Sequence, residues 1–231
     1  MTTPNEDIKD RLLDAALMHV PFDGWSEATL KAAANDIGID DAAARAAYPR
    51  GAVDLALAFH ARGDRAMLAR LATEDLGGLK FREKIAAAVR FRLEAVEDKE
   101  LVRRGTTLFA LPHHAAEGAR AIWQTCDLIW TELGDTSEDV NWYTKRATLA
   151  GVYSATVLYW LGDHSPDDQA TWEFLDRRID NVMQIETLKA KVRENAVLKP
   201  LLAGPNWLLD QVRAPTRKQN DDLPGTIRPR R

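Results

Sequence analysis

The sequence predicts an all-α protein, and three observations carry that expectation. Apolar/polar alternation never persists beyond about five residues, so the period-2 signature of strands is missing. Alanine, leucine, arginine and glutamate dominate, while runs of β-branched residues are scarce. Apolar residues recur instead at three- and four-residue spacing along most of the chain. With 231 residues and 45% hydrophobic content there is ample material for a core. A net charge of −4 gives the molecule as a whole no electrostatic reason to seek nucleic acid. The lone Cys126 excludes an intramolecular disulfide and suits a reducing compartment. The opening MTTPNEDIKD is acidic and polar, which argues against a secretory signal or an Arg-rich transit peptide, and a cytoplasmic home is the expectation.

Taken in order, residues 5–20 place Ile8, Leu12, Ala15, Ala16 and His19 at helical spacing, and Pro21 with Gly24 is expected to close that helix. A second helix runs from Ser26, an N-cap residue type, to Ile37 before Gly38. A third, Asp40 to Ala47, stops ahead of Pro49, because the residue before a proline is pushed out of the α region. A longer helix follows from Gly51 to Glu74. After Gly77 and Gly78 a bundle begins: Phe81, Ile85, Val89, Leu93 and Val96 form one stripe, and a short helix spans Lys99 to Leu108. Beyond Pro112 a helix sets Ala119, Ile122, Trp123, Cys126, Ile129, Trp130 and Leu133 on one face.

The stretch from Asp135 to Gly162 is the centre of the chain. Its first turn carries Asn141, Trp142, Tyr143, Lys145 and Arg146, and the 16 positions from Ala147 to Gly162 hold no charge. Sixteen residues fall short of the roughly 20 that cross a bilayer, so this reads as a buried central helix covered on nearly all sides. Thr136 and Asp139 have capping-box spacing, which would start the helix there. Ser165, Pro166 and Asp168 then supply an N-cap, a first-turn proline and a third-position carboxylate for a helix reaching Asn195. Residues 196–213 hold two short apolar clusters split by Gly204 and Pro205, with Leu201, Leu202, Trp207, Leu208 and Leu209 as candidate membrane contacts. From Arg213 to Arg231 six cations face two acids, a net of +4 with three prolines, which suits a disordered basic tail drawn to anionic lipid. The domain boundaries expected are 1–75, 76–195, 196–213 and 214–231.

Three short helices and a long one suit a helix-turn-helix module, and the spacing of Leu30, Ala33, Ile37-Gly38-Ile39, Tyr48, Pro49 and Asp54-Leu55 resembles TetR-type regulators. A recognition helix needs cations and hydrogen-bonding side chains at its N-terminal end. This one offers Asp40 and Asp41 followed by three alanines, and Ser26 to Arg50 carries four acids against three bases. The module therefore reads as a helix-turn-helix shape without DNA function.

No GxGxxG, GxxxxGK[ST], GxSxG or HExxH string is present, and no glutamate has a histidine three residues on, which removes the ligand pair of a helical di-iron carboxylate site. His113, His114 and Glu117 form a lone polar cluster with no second half for a metal. No catalytic residue, metal or cofactor is expected. Trp142 and Tyr143 are different in kind. Neighbours on a helix point about 100° apart, so both cannot face one core. Exposed aromatics beside Lys145 and Arg146 are the composition of an interface hot spot. The alternative is one ring in the core and the other under a loop.

The strings DVNWYTKRATLAGVYSATVLYW and DDQATWEFLDRRIDNVM resemble the ubiquinone-biosynthesis lipid-binding accessory family, the ninth member of the coenzyme Q series, over roughly Gly77 to Pro215. The resemblance implies a TetR-like fold without a DNA switch and an apolar pocket that binds isoprenoid or other lipid. It further implies a non-catalytic role presenting polyprenylated intermediates to the hydroxylase that acts on demethoxyubiquinone. It carries the partner-binding patch onto Asp127, Ile129, Asp139, Trp142, Tyr143 and Arg146. A bundle lined by Trp123, Trp130, Leu149, Tyr153 and Trp160 would hold the lipid. The partners so expected are a lipid, the hydroxylase, the surface of the inner membrane and a second copy of the chain, and not nucleic acid. A ligand-sensing TetR-type regulator and a small-molecule enzyme are the rival readings.

Overall fold

The computed structural model describes residues 4–194 and 213–215. Among these residues the chain is helical throughout and forms no strand. Helices α1 (Pro4–Asp23), α2 (Glu27–Ile37) and α3 (Asp41–Ala47) make a small N-terminal cluster, and α4 (Ala52–Thr73) leads out of it. Helices α5 (Phe81–Glu94), α6 (Lys99–Phe109), α7 (Ala115–Glu132), α8 (Val140–Leu161) and α9 (Gln169–Glu194) complete the bundle.

Local chemistry accounts for most starts. The Ser26 hydroxyl accepts the Thr29 N–H at 3.2 Å, and the Asp40 carboxylate accepts that of Ala43 at 2.7 Å, each satisfying a donor that the first helical turn leaves free. Three expected boundaries are corrected. Helix α1 continues past Pro21 to Asp23, because a proline in the last turn removes one donor without disturbing the turns before it; the Gly24 N–H then closes on the Val20 carbonyl at 2.9 Å. Helix α8 starts at Val140 with Asp139 as its N-cap, and Thr136 has no part in the cap. The run Pro166–Asp168 is a 3₁₀ turn in which Asp167 and Asp168 take positive φ, so α9 begins only at Gln169. Its amides are met from Asp163, whose carboxylate accepts the Thr171 N–H at 2.8 Å and O–H at 2.6 Å, and from the Ser165 hydroxyl, which accepts the Ala170 N–H at 3.0 Å.

Two buried clusters result. One gathers Leu12, Leu13, Ala16 and Val20 of α1 with Trp25, Leu30, Tyr48, Leu55 and, from α6, Leu101. The other gathers Met67 and Leu71 of α4 with Ile85, Val89, Leu93, Cys126, Ile129, Leu149, Tyr153, Trp160, Leu175 and Ile179. Helix α4 belongs to both, and Leu101 carries the first core across the boundary expected at 75/76. A buried ion pair sits where they meet: Arg92 Nε donates to Asp64 at 2.7 Å with both side chains under 10% exposed. The Thr125 hydroxyl donates to the same carboxylate at 2.9 Å. Gly63 makes this close approach possible, since a Cβ there would lie 2.4 Å from the Arg92 guanidinium.

Helix α8 is buried on one face rather than on nearly all sides. Leu149, Val152, Tyr153, Thr156 and Trp160 turn inward, whereas Leu158 is 62% and Tyr159 39% exposed. The outer face is tolerable because Gly151 is small and Tyr159 covers itself by stacking on Phe174 at 4.4 Å. No helix among the described residues is long and apolar enough to cross a membrane. The candidate membrane contacts Leu201, Leu202, Trp207, Leu208 and Leu209 lie outside the described residues, as does most of the basic tail.

Candidate functional site

The turn between α7 and α8 builds the site. Gly134 takes φ +82°, a left-handed conformation that suits glycine, and this folds Asp135 back beneath the first turns of α8. There the Asp135 carboxylate accepts Lys145 Nζ at 2.8 Å, the Ser137 hydroxyl at 2.8 Å and Arg146 Nη1 at 3.0 Å. Burial pushes this carboxyl up, but those three donors outweigh it and bring it down to about 2. Arg146 is 1% exposed, reaches Asp127 through Nε at 2.5 Å, and also donates from Nη1 to the Trp142 carbonyl at 3.1 Å.

The consequence is a neutral charge network beside an aromatic surface, with Arg146 and Asp135 buried and Lys145 and Asp127 partly exposed. Arg146 is not displayed on the surface as its sequence position suggested, because Asp127 and Asp135 draw it under the turn against the inner side of Trp142, whereas the Lys145 side chain stays 38% exposed. Trp142 and Tyr143 are both half-buried and meet edge to face at 4.7 Å, and Trp123 of α7 stands 5.9 Å from Trp142 and 6.4 Å from Tyr143. Residues 213–215 close one side: the Tyr143 hydroxyl donates to the Arg213 carbonyl at 3.3 Å, and the Ala214 N–H donates to the Glu138 carbonyl at 2.9 Å.

The six expected patch residues therefore divide. Trp142, Tyr143 and Asp139 reach the surface, and Asp127 is 36% exposed at its side chain. Ile129 is fully buried and Arg146 nearly so, which leaves them no area to touch another protein; they hold the surface from below. Asp135 is the member that residue types alone did not single out, because its role depends on the Gly134 turn.

The five expected lipid-lining residues divide as well. Trp130 and Leu149 line a cavity of about 570 Å³ between α5, α8 and α9, together with Phe81, Ile85, Val152, Ile179 and Val182. Its lining also includes Asp135, Asn141, Thr144 and Lys145, so it reaches the same first turn of α8 that carries Trp142 and Tyr143. Trp130 is fixed there by an indole N–H donated to the Lys145 carbonyl at 3.2 Å and by a tilted contact with Phe81 at 5.5 Å. Tyr153 lines a different cavity, of about 390 Å³, on the other side of α8. Trp123 belongs to the aromatic cluster. Trp160 is a packed core residue whose indole N–H donates to Asp168 at 2.9 Å.

The sequence of this region matches the COQ9 family model across residues 115–186, from α7 into α9. The chain is 31% identical over 212 residues to ubiquinone biosynthesis protein COQ9-B, mitochondrial, of Xenopus laevis, covering 86% of this chain and 71% of that one. It belongs to the COQ9 family. Other COQ9 relatives agree: identity is 33% over 186 residues with the mitochondrial protein of Drosophila melanogaster and 31% over 192 with that of Homo sapiens. The shared region is 78% of this chain in both cases but 57% and 59% of those proteins, so the chain spans less than two thirds of their length. The relatives are named as mitochondrial ubiquinone biosynthesis proteins, without a reaction in the name. The fold has a second likeness, to a TetR transcriptional regulator from Nitrosomonas europaea, with a TM-score of 0.63 at 18% identity over 75% of this chain and 97% of that one. At that identity the likeness concerns the fold alone. The COQ9 match spans every residue of the Asp127, Asp135, Trp142 and Arg146 network.

Proposed function

We propose that this COQ9-family protein is a non-catalytic lipid-binding accessory of ubiquinone biosynthesis, which presents polyprenylated intermediates to the demethoxyubiquinone hydroxylase. The observation that carries this reading is the shared turn of α8: the polar end of the 570 Å³ cavity, whose other wall is apolar, and the Trp142/Tyr143 surface are built from consecutive residues. A polyprenyl tail cannot sit in water, so moving its head group from bilayer to active site needs an apolar berth next to the point of handover. Trp130, Leu149 and their neighbours would supply the berth. The two aromatic rings, on a network whose charges are already internally paired, suit docking driven by ring burial rather than by net charge. The apolar clusters of residues 196–213, followed by basic residues, would bring the protein to the surface of the inner membrane.

The test is twofold. Mass spectrometry of purified protein is expected to find a co-purifying isoprenoid or phospholipid, and Trp142→Ala is expected to weaken capture of the hydroxylase by more than about tenfold. Absence of any lipid together with undiminished capture would overturn the proposal. The TetR likeness favours one rival, a ligand-sensing regulator. Asp40 and Asp41 are both exposed at the start of α3, where a recognition helix would meet phosphate, and carboxylates there repel it. A salt-dependent shift of duplex DNA by the pure protein would favour the regulator instead.

A further inference from the structure

The loop that leads into α5 turns two leucines in opposite directions. The Leu79 N–H donates to the Leu76 carbonyl at 3.1 Å, and this turn leaves Leu76 packed against the second core and Leu79 39% exposed. Phe81, the first residue of α5, is 46% exposed. It also lines the 570 Å³ cavity, where it tilts against Trp130 at 5.5 Å. The cavity edge is therefore apolar outside as well as inside. Lys80 and Lys84 flank Phe81, are exposed, and have no acidic partner among the described residues. The acids of the loop are engaged elsewhere: Asp75 accepts the Gly77 N–H at 2.9 Å, Glu83 accepts the Lys80 N–H at 2.8 Å, and Glu74 meets Arg70. At the polar end of the same cavity, Ser137 and Asn141 line the wall, and residues 213–215 are held beside them through Glu138 and Tyr143. The basic run from Arg213 to Arg231, with a net charge of +4, thus starts at this cavity.

We propose that the edge from Leu79 to Lys84 is a membrane-contact site, at which Leu79 and Phe81 enter the headgroup layer of an anionic bilayer while Lys80 and Lys84 meet its phosphates. The proposal rests on the reading that the first cavity takes lipid, and it adds the direction in which the cavity faces. A lipid passing from bilayer to apolar hollow stays out of water only where the rim itself lies among the headgroups. Phe81 is on that rim and Leu79 stands two residues before it. The lysine stems lie along apolar surface while their ammonium groups stay wet, which suits both residues to the same boundary. The basic run that starts at Arg213 brings further positive charge to the same side. Exposure alone does not select this edge. Met18 and Phe22 of α1 are 73% and 82% exposed, but Asp14 shares their face at four-residue spacing and Asp23 follows them. No lysine or arginine lies between Leu12 and Trp25, so an anionic surface has nothing there to attract it.

The test is flotation of the full chain with vesicles of phosphatidylcholine and phosphatidylglycerol. Leu79→Ser and Phe81→Ser together are expected to weaken binding about tenfold, whereas Met18→Ser and Phe22→Ser together are expected to change it by less than about twofold. Lys80→Gln with Lys84→Gln is expected to weaken it about fivefold at low salt and to have little effect at high salt. Should the Leu79/Phe81 variant fail to fold, a label decides. An environment-sensitive fluorophore on Leu79→Cys is expected to shift to the blue when vesicles are added, and the same fluorophore on Phe22→Cys is expected to stay unchanged; Cys126 is buried and escapes labelling. Absence of wild-type flotation, undiminished flotation of the Leu79/Phe81 variant, an equal loss in the Met18/Phe22 variant, indifference to both lysines at low salt, or no blue shift at position 79 would each overturn the proposal. Co-purifying lipid is measured separately, because it reports the cavity: a variant that carries lipid and floats undiminished overturns this edge alone, and absent lipid counts against lipid presentation whatever the vesicles show.

Discussion

The Arg146 guanidinium lies 4.1 Å from the centroid of the Trp142 ring while donating to the carbonyl of the same residue at 3.1 Å. One side chain thus sets both the ring and the backbone of the residue on which docking is proposed to depend, and two carboxylates fix that side chain in turn.

Arg146→Met would leave Asp135, 3% exposed, without its buried cation. Breaking a buried pair from one side costs about 3–5 kcal/mol, and Asp127, which is partly solvated, places this variant near the lower end. The expected outcome in chemical denaturation is a lower midpoint together with red-shifted tryptophan emission as Trp142 loses its support.

Trp142→Ala is expected to behave oppositely. The ring is half-buried, so its removal should cost the fold on the order of 1 kcal/mol while weakening hydroxylase capture. Parallel melting curves and pull-downs of Trp142→Ala and Arg146→Met would separate contact from support.

Acid sensitivity should centre on His60. Its pKa is depressed to about 4 in the folded chain, whereas the unfolded chain titrates near 6.5. Between those values the unfolded state binds the extra proton, so this contribution to stability is present above pH 6.5 and is lost as pH falls toward 4. The loss amounts to at most about 3 kcal/mol. His60→Gln should flatten the stability profile across that window, measured by urea denaturation at stepped pH.

Lys99 ties α6 to the far end of α8: its ammonium donates to the Trp160 carbonyl at 3.0 Å, to the Asp163 carbonyl at 2.9 Å and to the Asp168 carboxylate. Lys99→Met keeps the stem and strands three acceptors, so a loss of about 1–3 kcal/mol is expected in thermal unfolding.

Gly63→Ala would drive a methyl group into the Arg92 guanidinium, which cannot retreat without leaving Asp64. A loss of order 3 kcal/mol is expected, since the pair would be broken in place.

How much of this was legible depends on how local the cause is. Ser26 was readable as a cap because the bond spans three residues, whereas Asp40, read as the first residue of its helix, proved to be the cap before it. Thr136 was misread as the start of α8 because Asp139, three residues on, has an equally good oxygen for the purpose, and only the path out of Gly134 decides between them. The aromatic pair was visible in residue types, but the burial of Arg146 was not, since it needs Asp127 on another helix and Asp135 on a turn. The five residues read as one lipid lining are split by the rotation of α8, which sends Leu149 one way and Tyr153 the other. The Asp64, Arg92, His60 and Thr125 node escaped notice because its members come from three helices up to 65 positions apart.

A phenol has one proton to give, and at Tyr143 it is already given to the carbonyl of Arg213. Any visitor that requires that proton must first dislodge Arg213, so occupancy at the rings and the position of residues 213–215 are thermodynamically linked, each weakening the other by the same factor. Clipping the protein ahead of Arg213 would remove the incumbent and leave the ring open to its visitor.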